Sequence, residues 1–419
     1  MTHYAELAQR VMDYCDDLGK ISQSIDYIDR RYLSQEHRLA NDLSAQWARN
    51  AGMQSWQDTA GNFWARYPCD DIDAPRFLIG SHLDTVPNGG KYDGMLGVVL
   101  PLVFLQYCHQ QNIKFPFHID VIGFGDEEGT RFGSTLLGSR ALTGKWQAEW
   151  AELRDVHNVK LAQALQTFGL SFDNVKNAEL SPHNILGYFE IHIEQGPVLE
   201  ANDLPVGIVN AIAGARRFKF SLAGCAGHAG TVPMQLRQDT LVAASEMILD
   251  IENQATDAGL VATVGKLDNS PNGVNVISGN TTFSLDIRSD DDALRDIVVN
   301  QILCKCQEIG KRRGITVTYE ETHSAPAVTC DPRLQKTLEN AIVSQGISPM
   351  TLFSGAGHDA MAMAELCPVA MLFTRCEKGI SHNPKEAIDV NDVATTLGVF
   401  DDFMQQLSAN SYTNTPEVA

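Results

Sequence analysis

The sequence predicts an α/β protein with a mostly parallel sheet, interrupted by a smaller inserted α+β unit. Three observations carry that prediction. Apolar runs such as 77–80 and 121–124 read as buried strands and alternate with helix-length segments. Between Arg216 and Glu320 the pattern changes to several short strands around two long helical segments, which suits a small, largely antiparallel sheet. Beyond Pro332 the strand–helix alternation resumes. At 419 residues the chain exceeds what one small core organises. Two domains are therefore expected, one over 1–213 and 327–419, the other inserted at 214–326.

The elements follow in order. A first helix covers 4–18, and Ser34 caps a second that ends at Gly52 as its C′ residue. Strand-like runs at 54–58 and 62–67 flank a turn at Gly61. The strand at 77–80 leads to His82, and 94–110 reads as a helix interrupted by Pro101. A strand over 117–124 ends in Gly125-Asp126-Glu127-Glu128-Gly129. Residues 146–168 are helical in pattern, and 187–196 alternate like a strand that stops at Gly196-Pro197. In the insert, 216–222 is a strand, 238–257 a helix and 260–267 a strand. Residues 274–277 and 281–288 read as a hairpin about Ser278-Gly279-Asn280. Asp290-Asp291-Asp292 cap a helix to Arg313, and 315–320 is the last strand of the insert. Then come a helix from Pro332, a strand at 350–353, a helix from His358, a strand at 369–374 and a helix over 390–407. Residues 408–419 read as a frayed polar end.

Composition narrows the function classes. Hydrophobic content of 44% and charged content of 20% describe an ordinary soluble globular protein. A formal net charge of −20 excludes a nucleic-acid or anionic-membrane partner as the expectation, because a polyanion is repelled over most of the surface. No apolar run reaches the ~18 residues of a membrane span, and the first residues lack a secretory pattern. Nine scattered cysteines fit a reducing cytoplasm. Cys304-x-Cys306 has no second pair nearby and reads as part of a helix.

The chemistry-bearing residues gather at strand ends. His82, Asp84 and Asp93 follow the strand at 77–80, where open α/β sheets bind their ligands. Imidazole and carboxylate are ordinary ligands of zinc and similar ions, and Asp84 is spaced to orient the His82 imidazole. Alone, one His near two Asp is more often a polar loop than a metal site. Asp126-Glu127-Glu128 leaves the next strand at the same end. Successive residues there point to opposite sides, so one Glu can face a metal and the other a water, a ligand beside a general base. Three acids in a row also suit a solvated face. His192 shares a strand face with Glu190 and Glu194, with Gln195 at its end, and His382 lies in a loop after an apolar strand. Together these supply two His-containing half-sites and one shareable carboxylate, which suits a pair of divalent ions ~3.5–4 Å apart.

Further stretches complete a pattern: Gly227-His228-Ala229-Gly230-Thr231-Val232-Pro233-Met234, Asn272-Gly273-Val274-Asn275-Val276, Gly355-Ala356-Gly357-His358-Asp359-Ala360 and Gly379-Ile380-Ser381-His382-Asn383-Pro384. With Gly80-Ser81-His82-Leu83-Asp84-Thr85, Tyr92-Asp93-Gly94, Asp126-Glu127-Glu128-Gly129-Thr130-Arg131-Phe132 and His192-Ile193-Glu194-Gln195-Gly196, they are spread over almost the whole chain. In residues and order the chain resembles the M20-type metal-dependent hydrolases. It is most similar to their hydantoinase/carbamoylase branch, with allantoate amidohydrolases, N-carbamoyl-L-amino-acid hydrolases and β-ureidopropionases. The resemblance implies a zinc-peptidase-like catalytic domain and an inserted ferredoxin-like dimerisation and lid domain. It implies two divalent ions per subunit, zinc or manganese, bridged by Asp93. His82 and His192 would complete one site and Glu128 and His382 the other. Glu127 would be the general base, and Asp84 would support His82. Gln195, His228, Asn275, Arg288, Gly357 and His358 would hold a small ureido-acid substrate. His228, Asn275 and Arg288 would reach across a homodimer interface, and Arg288 would clamp a carboxylate bidentately.

The implied reaction is cleavage of a ureido C–N bond, with allantoate going to ureidoglycine, ammonia and CO2. The stretches at 30–34, 89–94 and 138–144 look most like bacterial allantoate amidohydrolases. The alternative is an N-carbamoyl-L-amino-acid hydrolase or β-ureidopropionase, and less so an M20 aminopeptidase or dipeptidase. One departure stands out: Ala215 precedes Arg216-Arg217 where branch members often carry Gln. The run 355–359 lacks the G-x-x-x-x-G-K pattern of a phosphate loop, so His358 and Asp359 are read as pocket lining.

Overall fold

Strand β1 (Gln54–Gln57) pairs antiparallel with β2 (Phe63–Tyr67), Trp56 facing Trp64. Next come β3 (Arg76–His82), β4 (His118–Phe124), β5 (Ile185–Ile193) and β6 (Val206–Ile212). The chain continues with β7 (Gly214–Ala223), β8 (Gly227–His228), β9 (Val261–Thr263), β10 (Leu267–Ser270) and β11 (Val276–Ile277). The last strands are β12 (Asn280–Ser289), β13 (Thr316–Ala325), β14 (Val328–Thr329), β15 (Thr351–Ser354) and β16 (Val369–Thr374). The structure is a computed structural model that describes residues 2–411. Part of the expected frayed end, residues 412–419, lies outside the described residues, while 408–411 belong to the helix Val390–Ser411. Among the described residues the chain divides into two units. One holds the residues up to Asn210, Cys330–Leu352 and those from Gly357 on; the other holds Ala211–Thr329 and Phe353–Ala356.

In the first unit the strand order is β1-β2-β4-β3-β5-β16-β6. The four central strands, β4, β3, β5 and β16, are mutually parallel, and antiparallel strands flank them on both sides. Parallel strands covered on both faces must be apolar on both faces, which is why these runs are near-continuous in the sequence. Register aligns the ends that matter: His82 pairs with Phe124, and His192 with Phe373. The helix Met95–Gln110 is buried on nearly all sides. The expected interruption at Pro101 is absent. Proline costs one donor, toward the carbonyl of Gly97, and the helix's almost complete burial holds it together. On the same core, Phe189 stacks on Phe400 and Phe403 of the last helix, at 5.8 and 4.6 Å. Burying each such ring contributes roughly 1.5–3 kcal/mol.

Residues 146–168 are not one helix. A 3₁₀ turn at Ala148–Glu152 and a helix at Leu161–Thr167 are separated by a loop. There Asp155 Oδ1 accepts the amides of His157 and Val159, both at 2.9 Å, and this local alternative competes with the helical ladder. β6 was not anticipated, and Gly207 and Asn210 dilute its apolar pattern.

The second unit is an antiparallel sheet, β10-β12-β7-β13 with β9 beside β12. The helices Thr240–Ala258 and Asp292–Arg313 are capped by Asp239 and Asp291, each accepting two backbone amides. Phe220, Phe283, Leu285 and Ile287 meet Met247, Ile251, Val299 and Ile302 in its core. Two expectations fail here. The single strand at 260–267 is two, because residues 264–266 face only 284–285 across the ladder and the extra residue breaks the pairing. The hairpin about 278–280 does not form. β12 pairs with β10, and Gly279 is held by Ser270 O and Gly224 N, while β11 pairs with β8. Among the described residues no helix is long and apolar enough to cross a membrane.

Candidate metal-binding active site

The site begins where β3 ends. His82 is buried, and its Nδ1 lies 2.9 Å from the backbone carbonyl of Asp84. This bond fixes the tautomer with Nδ1 protonated and leaves Nε2 facing inward, 3.6 Å from Asp93 Oδ1. His192, near the end of β5, is held the same way: Nδ1 bonds the carbonyl of Ile193 at 2.9 Å, and Nε2 sits 3.2 Å from Asp93 Oδ1. On the other side Asp93 Oδ2 lies 3.2 Å from His382 Nε2, which is 3.4 Å from Glu128 Oε1. Asp93 thus offers one oxygen to each of two groups. Gly94 makes the approach possible. Its φ is 74°, and a Cβ there would fall 2.5 Å from the His82 ring.

The Asp84 carboxylate does something other than expected. At 3.8 Å it is too far to hydrogen-bond His82 Nδ1. It accepts instead the amides of Glu127 and Glu128, at 3.1 and 3.3 Å, and so aims the turn leaving β4. Glu127, Glu128 and His82 bring ligand atoms within 4.8 Å of one another. The same holds for His82, Asp93 and His192, and for Asp93, Glu128 and His382. Asp126, Gln195 and His382 adopt left-handed backbone, φ 62°, 56° and 53°, a local strain that concentrates at functional sites.

The electrostatics of the cluster suit a cation. Burial raises the Glu127 carboxyl well above its usual range. Burial, then Asp93, pushes Glu128 up to about 7. Burial also acts on Asp93, but hydrogen bonds from His192, His382 and His82 together outweigh it and hold the carboxyl well below its usual value. The hydrogen bond to Asp93 raises His382 to about 9. Among the described residues the ion pairs of Asp84, Asp93 and Glu128 are with histidines and with no Lys or Arg. Buried carboxylates and imidazoles without a fixed cationic partner fit a divalent metal ion, and the oxygen–nitrogen donor set without sulfur suits a harder one.

Around this cluster, Gln195 Nε2 donates to Asp93 Oδ2 at 3.1 Å and to Ser381 Oγ at 3.2 Å, while its Oε1 has no hydrogen-bond partner among the described residues. The buried His358 ring packs edge-on against His192 at 4.5 Å, and burial, then His192, holds it neutral. Gly357 lies beside Glu127; a methyl on it would sit 3.7 Å from Oε1. His228, Asn275 and Arg288 belong to the second unit. His228 pairs with Val276 in the β8–β11 ladder and is exposed, and Asn275, just before β11, accepts from Ala229 N at 3.0 Å. Arg288, on β12, faces Ala215 across the strand pair. Its guanidinium already pairs bidentately with Asp286, at 2.8 and 3.0 Å, and donates from Nη1 to Gly355 O. Two residues went unassigned from sequence. Glu190 ties Ser81 Oγ, Tyr188 OH and Ala360 N together below the site. Glu386 accepts the amides of Tyr92 and Asp93. Its only sequence signal is its place four residues after His382.

Hydrolysis assisted by a metal ion is the chemistry such a cluster defines at the C-terminal ends of a parallel sheet. The chain belongs to a family of that class, Peptidase family M20/M25/M40, which its residues 78–406 match. It is 38% identical to an N-carbamoyl-L-amino-acid amidohydrolase of a Pseudomonas species, over 92% of this chain and 95% of that protein. It is 37% identical to allantoate deiminase 2 of Glycine max, over 94% and 88%. Among solved structures, an amidase of the hydantoinase/carbamoylase family from Burkholderia multivorans superposes with a TM-score of 0.90 at 28% identity, covering 96% of this chain and 98% of that one.

Proposed function

We propose that the protein hydrolyses a ureido C–N bond, with allantoate as substrate and ureidoglycine, ammonia and CO2 as products. One observation carries the reading: Asp93 turns Oδ1 to His82 and His192 and Oδ2 to His382, the arrangement of a carboxylate shared by two cations. In this reading His82 and His192 complete one site and Glu128 and His382 the other. Two divalent ions, zinc or manganese, would polarise the ureido carbonyl and acidify an attacking water. Glu127 then takes a proton from that water and returns it to the leaving nitrogen, and the carbamate left by this first cleavage breaks its remaining C–N bond to give CO2 and the second nitrogen. Its buried, raised carboxyl supports this role, because a base must also be willing to hold the proton it takes. Gln195, whose Oε1 is free to accept, orients the substrate with Gly357 and His358. His228, Asn275 and Arg288 supply oxyanion and carboxylate contacts across a homodimer built on the inserted lid unit. Unpaired cysteines throughout the described residues support a reducing cytoplasm as the working place.

A second reading, N-carbamoyl-L-amino-acid hydrolysis, is supported by the near-equal identity to relatives of both names, 38% and 37%. The test is a panel on metal-reconstituted protein: allantoate, several N-carbamoyl-L-amino acids, β-ureidopropionate and dipeptides. Ammonia release from allantoate at the highest kcat/KM is expected. Preference for a carbamoyl amino acid would select the second reading, and cleavage of dipeptides alone would overturn both.

A further inference from the structure

We propose that Glu386 is a positioning residue that locks together the two loops carrying Asp93 and His382. The inference rests on the metal-centre reading. Glu386 is buried, at 5% exposure, and each of its carboxylate oxygens has a separate task. Oε1 accepts the amides of Tyr92 and Asp93, at 2.8 and 3.1 Å. Oε2 lies 3.2 Å from Ser381 Oγ, and that hydroxyl is 2.8 Å from Asp93 Oδ2. One side chain therefore holds the backbone of the shared ligand directly and packs against the serine whose single hydroxyl proton lies nearer Asp93 Oδ2 than Glu386 Oε2. Its own loop is closed by Glu386 N donating to Asn383 O at 3.0 Å, so His382 lies inside the segment that Glu386 anchors.

A second observation points the same way. A Cβ at Gly90 would fall 2.1 Å from the Glu386 carboxyl carbon. Glu386 reaches the loop only because residue 90 has no side chain. That carboxylate is the far end of a flexible chain, but its hydrogen bonds leave it no other place that keeps them. Glu386 touches neither the ligand atoms facing the metal site nor the place of the reacting carbonyl, so its action passes through Asp93 and Ser381. Shape rather than charge is what the contacts need. A glutamine in the same pose accepts both amides with Oε1 and donates from Nε2 to Ser381 Oγ, leaving the serine proton for Asp93.

The test measures metal affinity, with the protein stripped by chelator and titrated with manganese against a chromogenic competitor. Partners at one remove from a metal are worth 10–100-fold in affinity. E386A and G90A are expected to bind manganese 10–100-fold more weakly than wild type, and E386Q within about threefold of it. Wild-type affinity in E386A, or equal losses in E386Q and E386A, would overturn the proposal. Should E386A not fold by circular dichroism, S381A decides. It removes only the side-chain link, is expected to weaken binding, and at wild-type affinity sinks the idea. Wild-type protein that takes up no manganese or zinc at all would instead refute the metal-centre reading, a result distinct from all of these.

Discussion

Replacing Asp84 separates two accounts of how the cluster is built. If its carboxylate oriented His82, Asp84→Asn would loosen the imidazole first. The geometry assigns that task to the Asp84 carbonyl, which the substitution keeps, and gives the carboxylate to the amides of Glu127 and Glu128. Asparagine retains one acceptor oxygen and turns an NH₂ toward the second amide. A buried amide without its acceptor costs about 1–3 kcal/mol. Part of that is returned, because Asp84 is itself a buried carboxylate whose ionisation burial disfavours. A net loss of about 1–2 kcal/mol follows for Asp84→Asn, and about 2–4 kcal/mol for Asp84→Ala, which orphans both amides. Urea unfolding of the chelated variants measures this. Anomalous scattering from metal-soaked crystals measures each cation position separately. Occupancy at His82 and His192 should persist, while occupancy at Glu128 and His382 falls and turnover drops with the displaced Glu127. Loss of the His82 position first, with stability and turnover at saturating metal unchanged, would refute the assignment.

Other consequences are as direct. Glu127→Gln should lower kcat by about 10²–10⁴-fold while metal content stays at the wild-type value; a loss below threefold excludes Glu127 as the base. Arg288→Lys gives up the fork that meets Asp286 and Gly355 and cannot present a second one to a substrate carboxylate, so KM for allantoate should rise about tenfold or more, and an unchanged KM removes Arg288 from the site. The chelated protein should lose stability from pH 7 to 9. Glu128 and Glu386, both raised from 4.5 to about 7, contribute stability that is full below pH 4.5 and lost through pH 7. His382, raised from 6.5 to about 9, contributes stability that is full below pH 6.5 and lost through pH 9. Asp93 has the opposite sign but acts only below its usual 3.8, while His37, lowered by burial to about 3, and His358, also lowered by burial, gain stability as pH rises to 6.5 and oppose the trend below that pH. Saturating metal replaces those protons and should flatten the curve, so a urea midpoint that rises between pH 7 and 9 without metal contradicts the electrostatic picture.

The parallel centre of the sheet was legible because two-sided burial leaves a strand few polar positions, and the apolar runs 77–80 of β3, 121–124 of β4 and 369–373 of β16 stand out. What was not legible depended on pairing partners remote in sequence. Residues 274–277 and 281–288 look like a hairpin locally, yet Asn280 pairs with Ser270 and Val276 with His228. Register of this kind is decided by the whole sheet and leaves no local mark. Pro101 misled in the other direction: propensity argues for a break, and burial of the surrounding helix overrides it.

The site divides along the same line. His82, Glu127, Glu128 and His192 could be named because each stands at or just past the end of an apolar strand, and strand direction alone sends them to one edge. Asp84, Glu190 and Glu386 are carboxylates as well, but their tasks are set by which backbone amides their loops present. Residue type cannot distinguish a carboxylate that faces a cation from one that holds a neighbour's backbone. The difference lies in partners: Asp93 gathers three imidazole nitrogens turned inward, beside Gln195 Nε2 and Ser381 Oγ, while Glu386 has no imidazole partner and takes two backbone amides and the Ser381 hydroxyl. A carboxylate whose acceptors are filled by backbone amides builds the site, and one that gathers three inward-facing imidazoles, as Asp93 does, is open to a cation.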